Sequence, residues 1–173
     1  EINQNPQNLG NAWLTADIKW VKDANEEILA IQTIDPKTTS ILNQSTIQND
    51  LKNLKADTLA TIKLTNYEPT KLTYESNSKT PQLAVFSEIY YPHGWKAFVD
   101  GNEVDILKAN YFLRSIPLEA GQHKIEFIFE PEVISTGKII SILSLLLFLA
   151  ALGFGAFYVW KNKNVDSTLL KNN

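Results

Sequence analysis

From Glu88 to Gly101 the chain reads EIYYPHGWKAFVDG, and the chemistry on offer there is aromatic. Tyr90, Tyr91 and Trp95 stand close together, with Tyr111 and Phe112 not far behind. A flat ring stacks on the C–H face of a sugar while neighbouring amides and carboxylates bond the hydroxyls, so this cluster is a candidate glycan platform. Arg114, the only arginine, joins it as a group able to touch an anionic substrate, or else to close a surface ion pair with Asp105 or Glu88. The competing use is burial, because half of each alternating strand faces inward and would carry the same rings into a core.

Other reactive chemistry is sparse. The carboxylates Asp17, Glu88, Asp100, Glu103 and Asp105 are scattered, and a glycosidase pair needs two within about 5 to 10 Å, which no spacing here enforces. No catalytic residue is assigned. His93 lies in the turn-like YYPHGW and His123 at a strand start; neither belongs to an HExxH or a helical pair, so both read as surface or hydrogen-bonded side chains and no metal is expected. There is no GxSxG, phosphate loop or nucleotide fingerprint, hence no expected cofactor. The absence of cysteine removes disulfides, thiolate catalysis and thiolate-held metals. A net charge of -3 gives no basic field for nucleic acid, which is excluded as a partner. Asn43-Gln44-Ser45 matches a glycosylation sequon by chance composition.

The elements that must position these residues can be read from periodicity. AWLTADIKWV, Ala12 to Val21, alternates loosely and predicts a strand. Asp23 reads as an N-cap with Glu26 completing a capping box, and Ile28, Leu29 and Ile31 follow on one side of a short helix over Ala24 to Thr33. Asp35-Pro36 ends it. Lys37 to Leu54 stays open between a second short helix over Thr46 to Leu54 and a strand at TTSIL. From Asp57 the period becomes two, through Leu59, Thr61 and Lys63, then Leu72 and Tyr74, then Leu83, Val85, Ser87 and Ile89. WKAFVDGNEVDI predicts a hairpin on Asp100-Gly101, and Glu119 to Gln122 predicts a second one joining FLRSIPL to HKIEFIF.

These readings define a mainly β chain: an antiparallel β-sandwich, jelly-roll-like, with one or two short helices near the N-terminus, followed by one C-terminal transmembrane helix. Residues 1–56 form a mixed lead-in. Residues 57–131 form the sandwich, completed by strands from 1–56. Residues 132–160 are juxtamembrane and membrane helix, and 161–173 a tail.

Ile139 to Trp160 carries no charge over twenty-two residues. As a helix it reaches about 33 Å, enough for a hydrocarbon core of about 30 Å, so the lipid bilayer is an expected partner. Lys161, Lys163 and Lys171 outweigh Lys138, which stands behind Glu130 and Glu132; the positive-inside bias therefore puts the tail in the cytoplasm and residues 1–138 outside. Ala151 and Gly155 are a small-xxx-small pair, read either as a helix contact or as ordinary membrane-helix composition. Only about eight residues join the last strand to the span, which predicts a sandwich held near the membrane surface. The chain opens without methionine and without a signal-peptide pattern, so an outside domain is expected to follow earlier membrane helices of a longer protein.

Glu88 to Pro131, with the pattern Y-P-x-G-W-K-A-x-V-D-G at Tyr91 to Gly101, followed by a membrane helix and a lysine-bearing tail, resembles the C-terminal end of the bacterial YfhO family. NPQNLGNAWL, Asn5 to Leu14, is similar to the segment that precedes that end. The resemblance implies a polytopic protein of the bacterial cytoplasmic membrane, like GT-C glycosyltransferases that take sugar from a polyprenyl phosphate carrier and act on envelope glycans or lipids. The catalytic acid of such proteins lies in an early loop outside this chain, so the piece here is expected to be a non-catalytic β-domain with its last helix. The alternatives are a membrane-tethered carbohydrate-binding module, with Tyr90, Tyr91, Trp95 and Arg114 as contacts, and a structural or assembly domain without ligand.

Overall fold

Ala16 divides the run from Ala12 to Val21 into two strands, β1 (Ala12–Thr15) and β2 (Asp17–Val21), where alternation had suggested one. In the computed structural model, which describes residues 8–45, 51 and 53–169, the chain forms a β unit ending at Glu130 and a helical unit beginning at Pro131. After β2 come α1 (Ala24–Ile31), β3 (Thr39–Asn43), β4 (Thr61–Glu68), β5 (Lys71–Ser78) and β6 (Gln82–Ile89). Then follow β7 (Trp95–Val99), β8 (Asn102–Val104), β9 (Leu107–Ala109), β10 (Leu113–Leu118), β11 (Gly121–Phe129) and α2 (Glu132–Leu169).

Two sheets make the sandwich, one ordered β1-β6-β10-β9-β3-β2 and the other β4-β5-β11-β7-β8. Their facing sides bury Leu72, Tyr74, Phe86, Ile116, Ile125 and Phe127, with Tyr74, Phe86 and Phe127 in edge-to-face contact at centroid distances of 4.7 to 6.1 Å. The first sheet is rolled. Laid flat, its outer strands β1 and β2 would lie five strand spacings apart, about 24 Å. Yet only Ala16 separates them in the chain, which caps the distance from Thr15 to Asp17 at about 7.6 Å. The Thr15 and Ser40 hydroxyls hydrogen-bond across this closure at 2.8 Å, both buried, and the Asp17 N–H donates to the Thr38 carbonyl. Leu42, Leu83, Val85 and Ala109 fill the inside of the roll, with Trp13, Ile18 and Leu113 against them. β6 is therefore buried on both faces.

The β2 to β3 pairing is parallel, a departure from the all-antiparallel expectation. A parallel pair needs a crossover, and α1 supplies it, packing Ala30 on Val21 and Ile41. Asp23 caps the helix by accepting from the Asn25 and Glu26 N–H groups, while Glu26 reaches back one residue past the cap to the Lys22 N–H. Ile28, Leu29 and Ile31 lie exposed, and the buried positions of α1 are Glu27 and Ala30. TTSIL is strand, as β3; of the alternative helix over Thr46 to Leu54, residues 46–50 and 52 lie outside the described residues.

Asp100-Gly101 turns as its dipeptide requires, both residues at positive φ (51° and 85°), and pairs Val99 with Asn102 and Ala97 with Val104. The second hairpin does not form. β10 pairs with β6 and β9 in one sheet, whereas β11 pairs with β5 and β7 in the other. The Glu119 to Gln122 segment is thus an arch between sheets, bent at Gly121 (φ 137°). In the helical unit, Gly137–Tyr158 is long and apolar enough to cross a bilayer, and its one described side-chain hydroxyl contact is internal, Ser144 Oγ donating to the Ile140 carbonyl at 2.8 Å.

Candidate functional site

The loop from Tyr90 to Gly94 carries the chain from β6 in the rolled sheet to β7 in the other, and both of its ends are tied down. The Tyr90 N–H donates to the Phe112 carbonyl at 2.6 Å, and the Glu130 N–H donates to the Gly94 carbonyl at 2.6 Å. Gly94 sits at φ 94°, where a side chain would be strained. Held this way, Tyr90, Tyr91 and Trp95 line one shallow hollow of about 160 Å³ together with Lys96, Glu103 and Asp105. The carboxylates arrive through the β7–β8 hairpin, whose register sets Glu103 opposite Phe98 and brings Asp105 back toward the start of β7. Tyr91 is half exposed and meets His93 edge-on at 5.5 Å, while Trp95 packs against Phe129 at 5.1 Å.

Arg114 does not reach the hollow. It is buried, its guanidinium lies 4.2 Å from the Trp95 ring and 5.5 Å from that of Phe127, and its Nε donates to the Ile89 carbonyl at 2.9 Å. The surface ion pair with Asp105 or Glu88 is therefore not made; strand β10 turns this side chain toward Phe86 and the sandwich core, so the ring of Trp95 takes the place of a carboxylate. Burial lowers the pKa of Arg114, with Glu88 and then Tyr74 opposing the shift. Tyr74, beside it in the core, is pushed up to about 12, chiefly by burial and secondarily by Glu88. Its hydroxyl and Nη1 of Arg114 have no hydrogen-bond partner among the described residues.

A second layer fixes the aromatic edge. Asn110, at φ 49°, prolongs the sheet by accepting the Ile41 N–H on its side-chain oxygen at 2.8 Å and donating its own N–H back to the Ile41 carbonyl. Tyr111, at φ 75°, donates its N–H to Oε1 of Glu27 at 2.7 Å, and Oε2 of Glu27 pairs with Lys108 at 3.2 Å without hydrogen-bond geometry. Glu27 was silent in the sequence, where its helix looked amphipathic on the opposite residues. Glu103 and Asp105 stood among five scattered carboxylates; extending the Asp100-Gly101 register would have set Asp105 across from Lys96.

The remaining candidates lie elsewhere. His123 bridges Asp100 (Nδ1 to Oδ2, 2.7 Å) and the Glu119 carbonyl (Nε2, 3.1 Å) near the arch. That hydrogen bond, together with the Lys124 N–H, lowers the pKa of Asp100. Among the described residues no group of His, Cys, Asp or Glu is arranged to hold a metal ion. A wider polar groove of about 430 Å³ passes Lys63, Glu75, Asn77 and His123 on the outer face of β4, β5 and β11, but no Tyr, Trp or Phe lines it.

A protein-family model described as bacterial membrane protein YfhO matches residues 32–141, more than half of the chain. The chain belongs to the YfhO family. No curated protein and no solved structure matches it. The YfhO match begins at the end of α1, takes in every strand from β3 to β11 and every residue of the hollow, and runs into the apolar stretch of α2. This YfhO chain is thus a membrane protein with a β unit of two sheets and one candidate membrane helix.

Proposed function

We propose that this YfhO chain provides a non-catalytic, extracytoplasmic β unit and a membrane helix of a glycosyltransferase-like protein that acts on cell-envelope glycans or lipids. In this reading Tyr90, Tyr91 and Trp95 are its sugar platform and Glu103 and Asp105 the hydroxyl acceptors. The observation that carries it is the convergence of three rings and two carboxylates on one open hollow. A hollow of about 160 Å³ is below the ~300 to 1,000 Å³ of sites that enclose a ligand, which suits a surface that holds one sugar ring rather than a site that excludes water for chemistry. Arg114 acts from behind, keeping the Trp95 indole in place. The lysines after the span, Lys161, Lys163 and Lys171, support a cytoplasmic end for α2 and an outside position for the β unit at the bacterial cytoplasmic membrane.

The test is titration of the full chain in nanodiscs with envelope oligosaccharides and with a polyprenyl phosphate sugar, followed by tryptophan fluorescence and ligand-observed NMR. Millimolar binding that Tyr91→Ala abolishes is the expected result. Absence of any response at that concentration would leave the β unit as an assembly domain without ligand.

A further inference from the structure

Apart from Trp20 on β2, Ile28, Leu29 and Ile31 on α1, and Leu59 ahead of β4, the large apolar side chains that the β unit leaves in water lie at one end of it. The pairings of Leu113 with Ile89, of Phe129 with Trp95 and of Ile128 with Lys71 bring the end of β6, the start of β7, the start of β10, the end of β11 and the start of β5 together. On this rim Ile89 is 69% exposed, Tyr67 65% and Phe112 52%, with Tyr111 beside them and stacked edge-on against Phe112 at 6.5 Å. Four of the six tyrosines, Tyr67, Tyr90, Tyr91 and Tyr111, stand here; of the others one is Tyr74 in the core and one is Tyr158 in α2. The other end of the sandwich carries Lys79, Asp100 and Glu119, with Leu59 exposed beside the Asp57 that accepts the Lys79 N–H. Exposed apolar side chains concentrated on one rim mark a binding face, and tyrosine is the residue whose ring and hydroxyl suit a boundary between hydrocarbon and water.

The chain itself says which boundary this is. It leaves the β unit on the same rim, where the Glu130 N–H is bonded to Gly94, and the apolar stretch of α2 begins at Gly137. Seven residues span at most about 25 Å, so the covalent connection limits how far this end of the β unit can stand from the start of the apolar stretch. We propose that Ile89, Tyr67, Tyr111 and Phe112 dock the β unit on the interfacial layer of the lipid bilayer. The docking is apolar and aromatic, so it does not require anionic headgroups. It rests on α2 crossing the membrane and is independent of sugar contact at the hollow.

The chain contains no cysteine, so single-cysteine variants report one position each. Phe112→Cys, Tyr67→Cys and, as a distant reference on β8, Asn102→Cys are labelled with an environment-sensitive fluorophore in the full chain and placed in phosphatidylcholine nanodiscs, with and without headgroup-nitroxide lipid. Labels at 67 and 112 should be quenched several-fold more than the label at 102, with little change between low and high salt. Equal quenching at all three positions overturns the proposal, as does a blue-shifted label at 112 that nitroxide lipid fails to quench, since a protein surface then covers it. Hydroxyl-radical footprinting of the unsubstituted chain in nanodiscs gives a second readout: Tyr67 and Tyr111 should react several-fold less than their exposure predicts relative to Leu59 at the other end, and reactivity in proportion to exposure at all three positions overturns docking.

Discussion

The guanidinium of Arg114 lies 4.2 Å from the Trp95 ring, deep in the sandwich, with one nitrogen bonded to Ile89 and another without a hydrogen-bond partner among the described residues. A desolvated cation on an indole contributes about 2 kcal/mol, set against the cost of burying the charge. Arg114→Ala removes the stacking and opens a cavity, and should cost about 3 kcal/mol of stability. Arg114→Met fills the same space without a buried charge and should fall within about 1 kcal/mol of the parent, since apolar replacement of buried charges is often neutral. Urea unfolding of the full chain in detergent, followed by near-UV circular dichroism, separates the two. If alanine and methionine cost the same, the arginine is not acting through packing on Trp95.

Glu27 and Lys108 form an unequal pair. The glutamate side chain is fully buried and that of the lysine 26% exposed, so after loss of its partner the lysine can turn to water and the glutamate cannot. Lys108→Met, which strands the buried carboxylate, should therefore be the costlier change, about 3 to 5 kcal/mol. Glu27→Gln keeps an acceptor for the Tyr111 N–H and should cost about 1 to 2 kcal/mol. The same denaturant series measures both, and the reverse order would show that the carboxylate is satisfied by groups other than Lys108.

What could be read from sequence was what is decided locally. Asp100-Gly101 specifies its own turn, so that hairpin and its register followed from two residues. Glu119 to Gln122 looks equivalent, but whether β11 folds back on β10 depends on β6 and β5, far away in the chain, and those partners win both strands. Ala16 has no breaker chemistry; the rolled sheet imposes the bend. That Tyr90, Tyr91 and Trp95 lie together was legible because they are near neighbours in the chain, in one short loop and the first residue of β7. Arg114 was not, because its position on β10 faces Phe86, and only the sheet pairing reveals that this side is core. Glu27 stayed hidden behind the stronger apolar signal of Ile28, Leu29 and Ile31.

Acid should weaken the β unit through three carboxylates. Asp100 is lowered by His123 and then by the Lys124 N–H, Asp57 by the Lys79 and Leu59 N–H groups, and Glu126 by Lys71 and Lys124. A carboxylate whose folded pKa lies below its unfolded value contributes stability above the unfolded value and loses it as pH falls through the folded one. Stability should thus be flat above about pH 5 and fall below about pH 4. Asp100→Asn should flatten that fall in part while lowering stability at neutral pH, a difference visible in thermal melts taken from pH 7 to pH 2.5. An unchanged acid profile would remove Asp100 from the set.

The rolled sheet depends on the contact between Thr15 and Ser40, residues of strands that meet only because Ala16 joins β1 to β2. Each hydroxyl is buried, so deleting one strands the other. Thr15→Val and Ser40→Ala should each cost about 1 to 3 kcal/mol. The double variant removes both polar groups and should cost less than the sum of the singles by about 1 kcal/mol or more, because neither partner is left to desolvate alone. A double-mutant cycle by urea unfolding measures that coupling directly. A coupling of zero would mean that the two hydroxyls find other partners and that closure of the sheet rests on the covalent joint and the Leu42, Leu83 and Val85 packing alone.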